Sequence, residues 1–255
     1  MCVPYDSTPP VAPISGAAID TQDLVLASRD GTKFAAYHAS AGRPGSAGVV
    51  VMPDVRGLFR FYEQLADRFA EQGMDAVAID YFGRTAGVGK RGEDFPFMEH
   101  VQQTRAASVA EDVGAAVKFL RQSEGDGRRA VFTVGFCFGG SNSWLQAAAG
   151  HGLAGAIGFY GRPTSPGWDG SAAPIDRAAE FACPVLALMG GADQGIPVSD
   201  VERFERELER AGKVYGAKVY EGAPHSFFDR RYEEFSEASA DAWERVLDFM
   251  SRHSS

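Results

Sequence analysis

Ala130-Val131-Phe132-Thr133-Val134-Gly135-Phe136-Cys137-Phe138-Gly139-Gly140 is an apolar, β-branched run that ends on a glycine-flanked cysteine. Its first residues read as a short buried strand, and the segment from Asn142 to Ala149 reads as a helix. The pattern G-x-C-x-G at a strand-to-helix junction has a mechanical reason. Glycines on both sides allow a strained turn to crowd against its neighbours, and the turn lifts the cysteine side chain out at the helix N-terminus. There the helix dipole and free N–H groups favour thiolate over thiol, and the backbone N–H of Phe138 is the first donor for a developing oxyanion. A free cysteine is more commonly buried and inert, so the partners of Cys137 decide the matter.

The rest of the chain repeats the same strand-then-helix beat. Residues 1–22, with Pro4, Pro9, Pro10 and Pro13, read as an arm over the surface, and Cys2 at its start is assigned no chemistry. Residues 23–255 read as one domain. It opens with a hairpin, Asp23 to Ala27 and Lys33 to Tyr37 about an Asp30-Gly31 turn. Further strands are expected at Gly48–Met52, Asp75–Ile79, Ala154–Phe159, Val185–Met189 and Gly216–Glu221. Helical stripes lie between them: Tyr62, Leu65 and Phe69; Val109, Val113, Val117 and Leu120; Val201, Phe204 and Leu208; and Phe235, Val246 and Phe249. The third of these is expected to begin with a Ser199–Glu202 capping box and to stop at Gly212. Alternation of this kind predicts an α/β fold with a mostly parallel central sheet, helices on both faces and no separate cap domain, its ligands sitting at the C-terminal strand edges.

A nucleophilic thiol needs a base to move a proton and a carboxylate to orient that base. Three histidines follow Cys137. His151, at the end of the elbow helix, and His253, near the terminus, are expected to face solvent. His225, in Gly222-Ala223-Pro224-His225-Ser226-Phe227, follows the last strand, where a base must project. Val185 to Met189 runs into Gly190-Gly191-Ala192-Asp193 and places Asp193 at a strand's C-terminal edge. Asp169, Asp176 and Asp200 compete with it, but none directly follows a strand.

Composition bounds the partners. A formal charge of −9 over 255 residues argues against nucleic acid, and makes any arginine in the cleft informative about an anionic substrate. The cysteines Cys2, Cys137 and Cys183 have neither disulfide nor metal spacing, so neither a disulfide framework nor a zinc site is indicated and a reducing, cytoplasmic setting fits. The uncharged stretch from Ala130 to Gly161 is long enough for a bilayer, but its eight glycines break it, and no membrane span is expected. Gly87-Val88-Gly89-Lys90-Arg91 lacks full phosphate-loop spacing and reads as a mobile loop beside the site. Trp144, Trp168 and Trp243 read as packing residues. The loop from Arg162 to Cys183 either lines the pocket or bridges two elements.

Gly-Phe-Cys-Phe-Gly-Gly at 135–140, Gly-Gly-Ala-Asp at 190–193 and Ala-Pro-His-Ser-Phe at 223–227 resemble, in order and spacing, the dienelactone hydrolases, or carboxymethylenebutenolidases, of the α/β-hydrolase superfamily. The likeness runs from about residue 20 to the C-terminus. It implies a Cys137–His225–Asp193 triad that opens a lactone or carboxylic ester through a thioester, with no cofactor, on a small and possibly anionic substrate. It also implies that the N–H of Val55 is the second oxyanion donor. Asp54 matches an acidic residue that contacts the resting thiol, where the family more typically has glutamate. Arg84 matches an arginine that grips the lactone's carboxylate. The family's second arginine falls at Asp229, with Arg230 and Arg231 next to it. A general carboxylesterase or acyltransferase on the same triad, and a non-catalytic thiol redox or ligand sensor, are the other readings. The expected state is a monomer or small homo-oligomer.

Overall fold

The computed structural model describes residues 3–42, 45, 47–122, 129–229 and 233–254. Eight strands form one sheet: β1 (Ile19–Ala27), β2 (Lys33–Ala41), β3 (Ala47–Met52), β4 (Asp75–Ile79), β5 (Ala130–Phe136), β6 (Gly155–Phe159), β7 (Val185–Gly190) and β8 (Tyr215–Tyr220). Their spatial order is β1-β2-β4-β3-β5-β6-β7-β8. From β4 to β8 all neighbours are parallel, while β2 pairs antiparallel with both β1 and β4. The chain leaves β3 toward β4 on one side and returns to β5 on the other. That reversal opens a crevice at the C-terminal ends of β3 and β5, where an open parallel sheet accommodates ligands.

Strand alternation divides the core. Val49 and Val51 of β3 pack with α1 (Arg60–Glu71) through Phe61, Leu65 and Phe69. Val50 and Met52, one residue out of phase, join Val109, Val113, Val117 and Leu120 of α4 (Ala106–Gln122) after the short α2 (Gly83–Ala86) and α3 (Phe97–Val101). Helices therefore cover both faces, and the central strands are apolar throughout because neither face meets water. The remaining helices are α5 (Phe138–Gln146), α6 (Val198–Arg210) and α7 (Ser236–His253).

Several local expectations are corrected. The arm is not merely laid over the surface: Val3 and Ser7 are buried, and β1 already begins at Ile19. Helix α6 starts one residue early, at Val198, with Pro197 in the N-cap position and no side-chain cap, so the Ser199 capping box does not form. Asp200 does lie in its first turn. His151 bonds Gln146 at 3.1 Å and His253 packs on Phe249 at 4.7 Å, so neither simply faces solvent. Lys90 pairs with Asp23 and Glu63, and Arg91 with buried Asp80, which pins the glycine-rich loop. Among the described residues no helix is long and apolar enough to cross a membrane.

Candidate active site

The turn between β5 and α5 is built by its glycines. A Cβ on Gly135 would run into the carbonyl oxygen of Gly139, and one on Gly139 into that of Met52. Glycine alone lets β5, the turn and β3 approach so closely. The residue between them, Cys137, is forced to φ 56°, ψ −112°, a left-handed conformation that costs a non-glycine residue about 1–3 kcal/mol. Its N–H donates to Phe159 O at 3.0 Å and its carbonyl accepts the N–H of Ser141 at 3.2 Å. The side chain is thereby fixed at the N-terminus of α5, which begins at Phe138 rather than Asn142. Cys183, by contrast, is held away from the cavity-lining residues, and burial pushes its thiol up to about 12. A thiol of that kind is inert at neutral pH.

Asp193 and His225 come from neighbouring loops that are stitched together, Ala192 N–H donating to Ala223 O at 2.9 Å and Gly191 N–H to Tyr220 O at 2.8 Å. His225 Nδ1 lies 2.6 Å from Asp193 Oδ2, and Gly195 N–H donates to Asp193 Oδ1 at 2.8 Å. Burial works against ionisation of Asp193, but its bonds to His225 and to the N–H groups of Gly195 and Ile196 hold the carboxyl below the usual range. Burial likewise opposes charge on His225. Hydrogen bonds to Asp193 and to Cys137 outweigh it and push the imidazole up to about 9. One ring edge therefore meets the acid and the other the thiol. Tyr160, itself at φ 37°, packs against the ring with centroids 5.0 Å apart.

Cys137, Asp193, His225, Val55 and Phe138 share the wall of one cavity of about 940 Å³. The N–H groups of Val55 and Phe138 donate to no other group among the described residues. The loop that carries Val55 is held firmly. Tyr81 Oη donates to Pro53 O at 2.9 Å, and Asp54 N–H donates to Tyr62 Oη at 3.0 Å. The segment from Arg162 to Pro174 lines the cavity rather than bridging elsewhere, and it brings in Trp168, which is half-exposed and not a packing residue. Asp169, Asp176 and Asp200 are used otherwise: Asp169 accepts the N–H of Ala106 and Asp176 that of Ala173, while Asp200 takes the Thr164 hydroxyl.

Two residues expected near the substrate are turned away. Asp54 is buried, and its carboxylate accepts Arg56 N–H, Nε and Nη2 at 2.9, 3.0 and 2.6 Å. The Arg56 guanidinium in turn lies against the adjacent rings of Tyr5 and Phe59, at 4.7 and 4.4 Å from their centroids. Shorter than glutamate, Asp54 closes a turn on its own loop. Arg84 donates to Asp112 at 2.7 and 2.8 Å and to Asp30 at 3.0 and 3.2 Å, and does not line the cavity. Asp112 is almost wholly buried and needs that cation. Asp229 is buried and accepts the Ser7 hydroxyl at 2.6 Å. Arg230, Arg231 and Cys2 lie outside the described residues. Sequence reasoning missed Arg162 and Trp168. The signal for Arg162 was available, since it follows β6 as directly as Asp193 follows β7.

A mostly parallel sheet with a strained cysteine turn after β5, an aspartate after β7 and a histidine after β8 has the form of an α/β-hydrolase. The structure of a "Putative Dienelactone Hydrolase" from Klebsiella pneumoniae is similar to it over 92% of this chain and 99% of that one, with a TM-score of 0.81 and 29% identity. The "Dienelactone Hydrolase-like Promiscuous Phospotriesterase" P91 from metagenomic libraries has the same fold, with a TM-score of 0.76 at 23% identity over 93% of this chain and 99% of that one. The dienelactone hydrolase family model matches residues 34–254, and the chain belongs to that family of hydrolases. A Methylorubrum extorquens protein named "Putative carboxymethylenebutenolidase" is 30% identical, over 96% of this chain and 87% of its own length. An Escherichia coli K12 protein of the same name is 27% identical, over 96% and 94%.

Proposed function

We propose that the protein opens lactones or carboxylic esters through a thioester on Cys137. The observation that carries this reading is His225, bonded on one edge to Asp193 at 2.6 Å and on the other to Cys137, at the wall of a cavity of about 940 Å³. A histidine raised to about 9 is an imidazolium at neutral pH, and it favours the thiolate beside it. The Cys137 thiolate attacks the carbonyl carbon, and the oxyanion is received by the N–H groups of Phe138 and Val55. As the tetrahedral centre collapses, the carbon–oxygen bond to the leaving group breaks, and His225 gives its proton to that oxygen. Neutral His225 then takes a proton from water as it attacks the thioester. The carbon–sulfur bond breaks, the acid departs and the thiolate–imidazolium pair is restored. Asp193 keeps the ring oriented through both half-reactions. No step calls for a cofactor, and the free thiols of Cys137 and Cys183 suit a reducing, cytoplasmic setting.

The experiment is turnover of short p-nitrophenyl esters and of an unsaturated lactone by wild type, Cys137→Ala and His225→Ala. Turnover by the wild type and its loss from both variants is expected. Full turnover by either variant would overturn the mechanism. Higher turnover of neutral esters than of the lactone would make the protein a general carboxylesterase on the same triad.

A further inference from the structure

Arg162 stands apart from the other arginines around the site. Arg56, Arg84 and Arg91 are each spent on an internal carboxylate. Arg162 lines the same cavity as Cys137 and His225, and its guanidinium makes no hydrogen bond or ion pair among the described residues. The group is nonetheless well placed. Its backbone N–H donates to Ser141 Oγ at 2.7 Å, which anchors it to the first turn of α5, one turn from the nucleophile. Its Nη2 lies 3.2 Å from where a Cβ on Gly195 would stand, and that same point is 3.5 Å from Asp193 Oδ1. The guanidinium therefore reaches the rim of the triad.

The carboxylates that share the cavity do not compete for it. Asp193 is committed to His225 and the N–H of Gly195, and Asp169 to the N–H groups of Ala106 and Ser171. An exposed cation with no partner among the described residues, on the wall of the cavity that holds Cys137, is suited to a planar anion, which a guanidinium binds through two parallel hydrogen bonds. It also reverses locally the field of a chain whose formal charge is −9.

We infer that Arg162 is the specificity-determining residue that grips a carboxylate on the ester or lactone substrate, doing here what Arg84 is turned away from doing. The inference rests on the hydrolase reading of the site. It differs from the family pattern in the element used, the loop after β6 in place of the loop after β4.

The test compares p-nitrophenyl acetate with mono-p-nitrophenyl glutarate, which adds a free carboxylate, in wild type, Arg162→Ala and Arg162→Lys. The ratio of kcat/KM for the anionic over the neutral ester is expected to fall about tenfold to a hundredfold in Arg162→Ala, mainly through KM. Arg162→Lys should recover part of that ratio by keeping the charge without the fork. Equal loss on both esters, or an unchanged ratio, overturns the inference. Calorimetric binding of glutarate to Cys137→Ala, with and without Arg162→Ala, decides the same point without turnover. Weakening of about tenfold or more on loss of Arg162 supports the carboxylate grip, and equal affinity overturns it. Absence of ester turnover in wild type overturns only the hydrolase reading, since glutarate binding still reports on Arg162.

Discussion

The strands on the two sides of β5 end in opposite ways. After β6, β7 and β8 the chain sets Arg162, Asp193 and His225 on the wall of the cavity. After β3 and β4 it turns polar side chains inward: Asp54 onto Arg56, Asp80 onto Arg91, and Arg84 onto Asp30 and Asp112. The difference has a physical cause. Asp54, Asp80 and Asp112 are almost wholly buried, and a buried carboxylate without a cation is too costly to keep. An arginine that neutralises one of them is not free for a ligand. The β3–β4 side is therefore an ion-paired mount beside Val55, and the β6–β8 side carries Arg162, Asp193 and His225 on the cavity wall.

The sharpest way to break this division is to remove its reacting groups. Cys137→Ala and His225→Ala should each lower ester kcat by about a thousandfold or more, measured by nitrophenolate release. Activity above about a tenth of wild type would place the chemistry elsewhere. Asp54→Asn separates a mount from a thiol partner. Loss of the ion pair with Arg56 should loosen the Val55 loop and cost about tenfold in kcat, while the alkylation rate of Cys137 by iodoacetamide stays within about twofold. A changed alkylation rate with normal kcat would restore Asp54 to the thiol.

Protonation of His225 offers a third probe. Its folded value of about 9 stands above the ordinary 6.5, so the fold favours the charged ring. That contribution to stability is full below about pH 6.5 and is lost as pH rises through about 9. Thermal unfolding between pH 6.5 and pH 9.5 should therefore show a smaller pH-dependent drop in His225→Ala than in wild type. An equal drop would remove His225 from the linkage. The smallest catalytic effect is expected at Arg84. Arg84→Ala should change KM for the anionic ester by less than about threefold, yet lower stability by about 1–3 kcal/mol by stripping Asp112 of its cation. Denaturant unfolding and steady-state kinetics on the same preparation check both halves.

Much of this was legible in the sequence, and for identifiable reasons. All eight strands overlap the expected runs, but β1 starts at Ile19 rather than Asp23 and β2 continues to Ala41 rather than Tyr37; the central parallel strands match most closely, because covering on both faces leaves a strong hydrophobic signal. Cys137, Asp193 and His225 were legible because each follows a strand, and the structure brings all three to one cavity wall. Arg162 obeys the same positional rule, but that its side chain finds no carboxylate partner among the described residues, unlike Arg56, Arg84 and Arg91, is a tertiary fact that position alone does not encode. Asp54 and Arg84 illustrate the opposite limit. Their positions match a family pattern, but the partners that capture them, Arg56 at two residues' distance and Asp112 on α4, are tertiary facts that position in a motif does not encode. Backbone strain was equally hidden. Among the described residues the non-glycine positions at positive φ are Cys137, Tyr160 and Ser226: the proposed nucleophile, the residue packed on the His225 ring and the residue that follows His225. Strain gathered in this way marks a site whose geometry the rest of the fold enforces.

The most direct measurement is the mass of the intact protein, and of its Cys137 peptide, after rapid acid quench with a short p-nitrophenyl ester. The expected result is one acyl group on Cys137, sensitive to hydroxylamine and absent from Cys137→Ala. Continued nitrophenolate release with the acyl group on another residue, or from Cys137→Ala at the wild-type rate, would contradict the thioester mechanism.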